Sequence, residues 1–104
     1  MGGINCIDYS TLTVSNTALV VATACSPTMP ERAKGAEMTV ETDAIRFRID
    51  GDAPTSTEGT LLNIGDILNY DSWTTPRANW RSVLNAIQVI RVTTDAKLKI
   101  HWYD

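Results

Sequence analysis

Apolar and polar residues alternate along several short stretches of this chain, which is the spacing of a β-strand with one buried face. Two stretches, residues 44–50 and 97–103, show the strictest alternation. Their apolar faces consist of Ile45, Phe47 and Ile49 in the first and of Leu98, Ile100 and Trp102 in the second. Both stretches are therefore predicted to be strands that pack one face on a core.

Further strands are predicted, with clusters of turn residues between them, in the segments 11–15, 18–23, 36–42, 60–63, 67–70 and 86–92. The short link at residues 42–43 predicts a hairpin between its flanking strands, with Glu41 and Arg46 as a cross-strand charge pair. We predict an all-β fold, a single antiparallel β-sandwich or small barrel of about seven to eight short strands. Residues 1–9 are predicted to form an N-terminal arm, and residues 10–104 the sandwich domain.

Composition supports a β-fold and narrows the classes of function. Thirty of the 104 residues are Thr, Ile or Val, whose branched side chains suit a pleated strand better than a helix. The length fits one domain, and the net charge of −3 argues against direct nucleic-acid binding through phosphate neutralisation. No apolar run is long enough to span a membrane, and the first residues lack the features of a signal peptide. We therefore expect no membrane partner and synthesis in a cytoplasm.

The two cysteines, Cys6 and Cys25, are too few for a disulfide scaffold and lack the paired spacing of a zinc site. The favoured interpretation is two free thiols, buried or half-buried. The alternative is a Cys6–Cys25 disulfide, which would close a loop of about 20 residues and would form only in an oxidising environment.

The candidate catalytic and metal-binding residues do not assemble into a known type of site. His101 is the one histidine, and no nucleophile motif accompanies it, so it is predicted to be an exposed strand residue rather than a catalytic base. Asp50, Asp52 and Glu58 could hold a calcium ion, but they do not follow the calcium-loop pattern and are predicted to belong to a structured turn. We therefore predict no enzyme activity, no metal and no cofactor.

Large aromatic residues toward the end of the chain are the strongest candidates for a protein–protein interface, because such side chains bury much area when they bind. The predicted interface consists of four aromatic residues, one arginine and two isoleucines of the predicted arm. These residues are Trp73, Trp80, Trp102, Tyr103, Arg77, Ile4 and Ile7. The alternative is that the aromatic side chains close the ends of the sandwich.

One region of the chain resembles a known group of proteins. Residues 45–55, IRFRIDGDAPT, and residues 58–66, EGTLLNIGD, resemble a strand and turn of small β-sandwich proteins encoded among the head and structural genes of tailed bacteriophages. The similarity also takes in an opening strand, a following loop and a closing hairpin, at residues 12–15, 31–33 and 90–98. The aromatic-rich segment 71–80 and the Trp102-Tyr103 ending depart from the group.

The resemblance implies a non-enzymatic virion protein, assembled in the host cytoplasm, and most closely a capsid decoration (cement) protein that stabilises the head lattice. Its partner would be the major capsid protein or another virion protein. A symmetric homo-oligomer is expected, with residues 1–9 adding a strand to a neighbour. One alternative is a neck, collar or tail accessory protein. The other is a carbohydrate- or receptor-binding sandwich, in which Trp73 and Trp80 stack on sugar rings and Asp71 binds hydroxyl groups.

Overall fold

The computed structural model describes residues 6–70 and 84–103, and these residues form mainly short strands. The elements in chain order are β1 (Cys6–Val14), β2 (Leu19–Val20), α1 (Val21–Ala24), β3 (Gly35–Glu41), β4 (Ile45–Arg48), β5 (Thr60–Leu62), β6 (Ile67–Tyr70), β7 (Gln88–Arg91) and β8 (Ala96–Tyr103). Each predicted strand segment overlaps one of these strands. The predicted all-β class is confirmed.

The strands form two antiparallel sheets that pack against each other. The first sheet has the order β1-β8-β3-β6, and the second has the order β2-β7-β4-β5. β8 pairs along nearly its whole length with β1 on one side and with β3 on the other. The predicted antiparallel β-sandwich is therefore the fold of this chain. The first and the last described strands, β1 and β8, are neighbours in the first sheet.

Every second side chain along the strands points inward, and these side chains fill the space between the two sheets. On β8, Ala96, Leu98, Ile100 and Trp102 point inward and are at most 1% exposed. Inward residues of the other strands complete this core and include Leu12, Val14, Met38, Val40, Ile45, Phe47 and Val89. Burying one such aliphatic or aromatic side chain is worth roughly 1.5–3 kcal/mol relative to leaving it exposed. The faces predicted from alternation therefore form this core, with the exception of Ile49, which lies beyond the end of β4 and is 44% exposed.

Trp102 is the largest fully buried side chain, and it joins separate parts of the chain. Its indole Nε1–H donates to Ser10 Oγ at 2.9 Å, and the Ser10 hydroxyl donates to the carbonyl oxygen of Pro27 at 2.5 Å. Ser10 is itself fully buried, so these polar groups are satisfied away from water. The prediction that Trp102 is an interface residue is wrong, because the inner face of β8 places its ring in the core.

Successive strands mostly cross from one sheet to the other instead of forming hairpins. The hairpin predicted around residues 42–43 is wrong, since β3 belongs to the first sheet and β4 to the second. Thr42 has a φ of +80° at the point where the chain leaves β3. As a consequence, Glu41 lies opposite Lys97 of β8 and not opposite Arg46, so the predicted charge pair does not form.

The chain also crosses between sheets from β7 to β8, where the resemblance implied a hairpin at residues 90–98. Asp43 joins the two crossings, because its Oδ2 accepts hydrogen bonds from the Thr94 backbone N–H at 2.8 Å and from the Thr94 hydroxyl at 2.7 Å. The hydroxyl is the main reason that the pKa of the Asp43 carboxyl lies below its ordinary value. Turn residues at both positions thus guide the chain between sheets.

Two predicted segments differ from the structure by more than two residues at one end. The apolar segment 18–23 is a strand only at Leu19–Val20 and continues as the single helical turn α1, since a short apolar run containing alanine suits either conformation. The predicted arm is partly wrong, because β1 begins at Cys6 and residues 6–9 belong to that strand, which pairs with β8. Residues 1–5 of the arm lie outside the described residues.

Replacing Ser10 by Ala should destabilise the sandwich, because it removes the acceptor of the Trp102 N–H and the donor to the Pro27 carbonyl. A buried polar group left without a partner costs about 1–3 kcal/mol, which denaturant unfolding at pH 7 measures. Thr13→Ala is the control, since Thr13 accepts its hydrogen bond from Lys97 on the exposed face. Equal losses of unfolding free energy in the two variants would contradict the role assigned to Ser10.

The contact between Asp43 and Thr94 predicts a pH dependence of stability. Because the pKa of Asp43 is lower in the folded than in the unfolded chain, its contribution is fully present above the unfolded pKa of about 4 and is lost as the pH falls through the folded pKa. The wild type should therefore exceed Asp43→Asn in unfolding free energy at pH 7, and the difference should shrink in acid. In an NMR titration, Thr94→Val should raise the Asp43 pKa, and an unchanged pKa would refute this cause.

Candidate functional site

Strand β4 carries two outward-facing arginines, and one of them fastens the loop between β4 and β5. Arg46 donates from Nε to the carbonyl oxygen of Ser56 at 3.0 Å and from a terminal nitrogen to that of Gly59 at 2.9 Å. The side-chain amide of Gln88 in β7 donates to the carbonyl oxygen of Gly51 at 3.1 Å. The loop is thereby held across the outer face of the second sheet.

The loop packs tightly where it returns to β5. Gly59 has a φ of +129°, and a Cβ at this position would lie 3.1 Å from both the carbonyl oxygen of Phe47 and the Cβ of Pro54. A residue other than glycine would be strained at this positive φ, and its neighbours would have to shift by a few tenths of an ångström. Pro54 is buried although it belongs to a loop. The loop between β4 and β5 is therefore closely packed against the sheet.

The second arginine, Arg48, pairs with carboxylates that were candidates for calcium ligands. Its guanidinium makes a two-point contact with Asp50 and lies 3.5 Å from an oxygen of Asp52. Hydrogen bonding to Arg48 is the main cause that lowers the pKa of Asp50. Over residues 6–70 and 84–103, no group of three or more potential ligands could hold a metal ion. Asp50 and Asp52 are thus part of an ion-paired, structured turn.

An open groove of about 810 Å³ lies beside this turn, where β4 ends and β5 begins. Ile49, which is 44% exposed, contributes an aliphatic side chain to the lining. Arg48, Asp50, Glu58 and Thr60 contribute the polar part. Since Arg48 already pairs with acids, the groove presents a mixed aliphatic and acidic surface.

The turn from β5 to β6 is held rigidly and presents an isoleucine at its tip. The Asp66 N–H donates to the Asn63 carbonyl at 2.9 Å, and the Asn63 N–H donates to Asp66 Oδ2 at 2.8 Å. Gly65 has a φ of +91°, as the third residue of a type II turn requires, and its N–H donates to the Val40 carbonyl of β3 at 2.8 Å. Ile64 stands at the tip and is 62% exposed.

Exposed aliphatic side chains continue from this turn onto both flanking strands. Leu61 of β5 is 42% exposed on the outer face of the second sheet, and Ile67 of β6 is 58% exposed on the outer face of the first. Each of these strands is the last in its sheet, and no other described strand pairs with it on the outer side. We call this surface, defined by Leu61, Ile64 and Ile67, the β5–β6 edge.

The opposite edge of the sandwich is protected. Ser26 bridges β1 on its outer side, with its N–H 2.9 Å from the Thr11 carbonyl and its carbonyl 3.1 Å from the Thr11 N–H. β2 has only two residues. Sheets commonly block their edges by such means, or with lysine and proline. The strands of the β5–β6 edge are short as well, but residues 60–70 contain no proline or lysine and a single charged residue, Asp66, and no described segment bridges the outer side of β6.

Two of the predicted interface residues that the structure describes, Ile7 and Tyr103, lie outside the β5–β6 edge. Ile7 is half-buried and packs on the core, and Tyr103 is half-buried with its carbonyl accepting the Lys34 N–H at 2.7 Å. The other predicted contact residues lie outside the described residues and are Ile4, Asp71, Trp73, Arg77 and Trp80. The exposed isoleucines and leucine of the β5–β6 edge were missed, because their exposure depends on which strands end each sheet.

Cys6 and Cys25 are both free thiols, as the favoured interpretation predicts, although Cys6 is exposed and only Cys25 is buried. The strand pairing is incompatible with a disulfide between them. Ser26 pairs with Thr11, and Cys6 lies five residues along β1 from there, about 16 Å in an extended strand, whereas a disulfide needs Cα atoms within about 7 Å. Burial raises the pKa of the Cys25 thiol, which makes this residue a poor nucleophile.

His101 is exposed on the outer face of β8, as predicted, and its ring contacts the ring of Tyr9 with 4.9 Å between their centroids. Glu37 of β3 lies opposite His101 on the other side. The contacts around His101 are therefore those of a residue on a solvated sheet face, and none of these neighbours is a serine, threonine or cysteine nucleophile.

Comparison with known proteins gives no relative: no protein family matches the chain, and no curated protein or solved structure is significantly similar to it. In the part of the chain that the structure describes, no helix has the length and apolar character needed to cross a membrane.

Replacing Arg46 by Met should loosen the loop between β4 and β5, because the aliphatic stem remains while both hydrogen bonds to loop carbonyls are lost. We expect the unfolding free energy to fall by about 2 kcal/mol and amide exchange in residues 56–59 to accelerate. Arg48→Met is the matched control, since its ion pairs are exposed and should matter less. A larger effect of Arg48→Met on these amides would refute the assignment.

Proposed function

We propose that this protein is a non-enzymatic virion structural protein of a tailed bacteriophage, a capsid decoration protein that attaches to the head lattice. One observation carries the binding role: the β5–β6 edge exposes three aliphatic side chains on and between two strands that each end a sheet. Strands that end a sheet and are not blocked are typical sites for pairing with a strand of another chain. The choice of a capsid as the partner rests on the resemblance of residues 45–66 to phage head proteins.

The structured loop beside the edge supports the same proposal. Arg46, Arg48 and Gly59 belong to the sequence that carries the resemblance, and each has a clear part in fixing the loop. A surface that is rigid before it binds loses little conformational entropy on association. Within the segment that resembles the phage proteins, Arg46, Arg48 and Gly59 therefore support a surface that is ordered before it binds.

A lattice would also supply stability that a domain of this size gains only in part from its own core. Binding that is specific to the folded state stabilises it by mass action, and the effect grows as the concentration of binding sites exceeds the dissociation constant. A capsid offers many identical sites, which suits a symmetric homo-oligomer. A neck, collar or tail accessory protein would use the same surface on a different virion protein.

Particles purified from a lysate of the phage that encodes this chain test the proposal. On a density gradient, the chain should sediment with the major capsid protein at many copies per particle, as measured by quantitative mass spectrometry. Immunogold labelling should then place it on the head, and label confined to the neck or tail would contradict the decoration role. A chain that stays in the soluble fractions and binds a glycan array would instead favour the carbohydrate-binding alternative.

A further inference from the structure

The segment that contains the β5–β6 edge is acidic as well as apolar. Residues 49–70 hold four carboxylates, Asp50, Asp52, Glu58 and Asp66, and no lysine or arginine. This segment therefore carries more negative charge than the whole chain, whose net charge is −3. Of these carboxylates, Asp66 belongs to the turn that carries Ile64, and Glu58 precedes β5 by two residues.

The arginines of the neighbouring strand leave part of this charge unneutralised. Arg48 pairs with the two aspartates of the turn, and Arg46 donates to loop carbonyls. Glu58 and Asp66 are exposed, and neither takes part in an ion pair formed within residues 6–70 and 84–103. These two carboxylates lie on either side of β5 along the chain. The surface around the β5–β6 edge is thus suited to a positively charged partner.

Strand β6 offers backbone on which another strand can pair. Residues Ile67–Tyr70 pair with β3 on one side of β6. Every second residue of β6 therefore directs its backbone N–H and C=O groups to the opposite side, away from β3. Among the described strands, none occupies that side. An extended chain added there would form backbone hydrogen bonds and would place every second side chain on the face of Ile67.

We infer that the β5–β6 edge binds an extended segment of another protein, which adds to β6 as a strand and combines alternating aliphatic side chains with lysine or arginine at its flanks. Its aliphatic side chains on the outer face of the first sheet would cover Ile67, and the flanking bases would be attracted by Glu58 and Asp66. This inference deepens the proposed function, since the segment would belong to a capsid protein. Binding of the segment can nevertheless be measured without a capsid.

A second copy of this chain fits the same edge less well. Two-fold pairing of β6 with itself would bring like-charged segments together, which opposes association. The edge also exposes only three aliphatic side chains, a small part of the roughly 800 Å² that each partner buries in a standard complex. A basic segment gains from the charge that a second copy would have to overcome.

The test uses the full chain and a synthetic peptide of alternating valine and threonine with two lysines at each end. Calorimetry should detect binding that weakens as salt is added, and NMR amide shifts should centre on residues 60–70.

Ile67→Lys and Ile67→Thr should each weaken binding of the peptide about tenfold, and the threonine variant does so without adding charge. Glu58→Gln should weaken it less. Tyr9→Lys is the matched control, since Tyr9 is a 44% exposed aromatic residue on β1, and it should bind like the wild type.

Two further peptides distinguish binding by strand pairing and charge from nonspecific hydrophobic binding. Glutamates in place of the lysines should weaken binding at least tenfold, and a central proline should abolish the shifts, because proline cannot donate to a strand ladder. Equal binding of the glutamate peptide, or shifts that fall outside residues 60–70, would overturn the inference. A wild-type dimer in analytical ultracentrifugation that Ile67→Lys dissociates would also overturn it, by identifying a second copy as the occupant.

Sedimentation with phage particles distinguishes this inference from the proposed function. If the wild type and Ile67→Lys sediment equally with particles, the inference fails and the virion role stands. If the wild type binds the lysine peptide but no particles, the virion role fails and the edge remains a site for basic strands.

Discussion

The buried hydrogen bonds of Trp102 are the constraint on which the rest of the sandwich depends. The indole lies in the core, where its N–H needs an acceptor, and Ser10 Oγ supplies one while its own hydroxyl donates to the Pro27 carbonyl. These groups belong to β8, to β1 and to the segment between α1 and β3. The network therefore fixes the register of β1 on β8, and a shift by one residue would turn the buried face of a strand toward water.

With β8 at the centre of the first sheet, the positions of the other strands follow. β1 and β3 pair along its two sides, and the crossings joined by Asp43 and Thr94 carry the chain to the second sheet. β6 then lies outside β3, and β5, which a short rigid turn connects to β6, lies outside β4. The exposure of Leu61 and Ile67 is thus a result of strand order, not of any local conformation.

Strand positions and buried faces could be predicted from alternation, because the two-residue period is a local property. Strand partners could not, because the turn residues at 42–44 and 92–95 suit a hairpin and a crossing between sheets equally well. Trp102 looks like an interface residue in the sequence because its partner, Ser10, is 92 residues away. The edge was missed for the same reason, although the lack of lysine and arginine over residues 49–70 is visible in the sequence.

Charge gives the β5–β6 edge its selectivity. An unblocked strand with exposed isoleucines would pair with many extended chains, including a second copy. Glu58 and Asp66 repel the identical edge of another copy and attract a basic segment, so the same two groups provide attraction and rejection. The aliphatic area is small, and affinity for one segment would be modest. On a lattice of identical partners, a symmetric oligomer would engage several segments at once, and avidity would turn this weak contact into stable attachment.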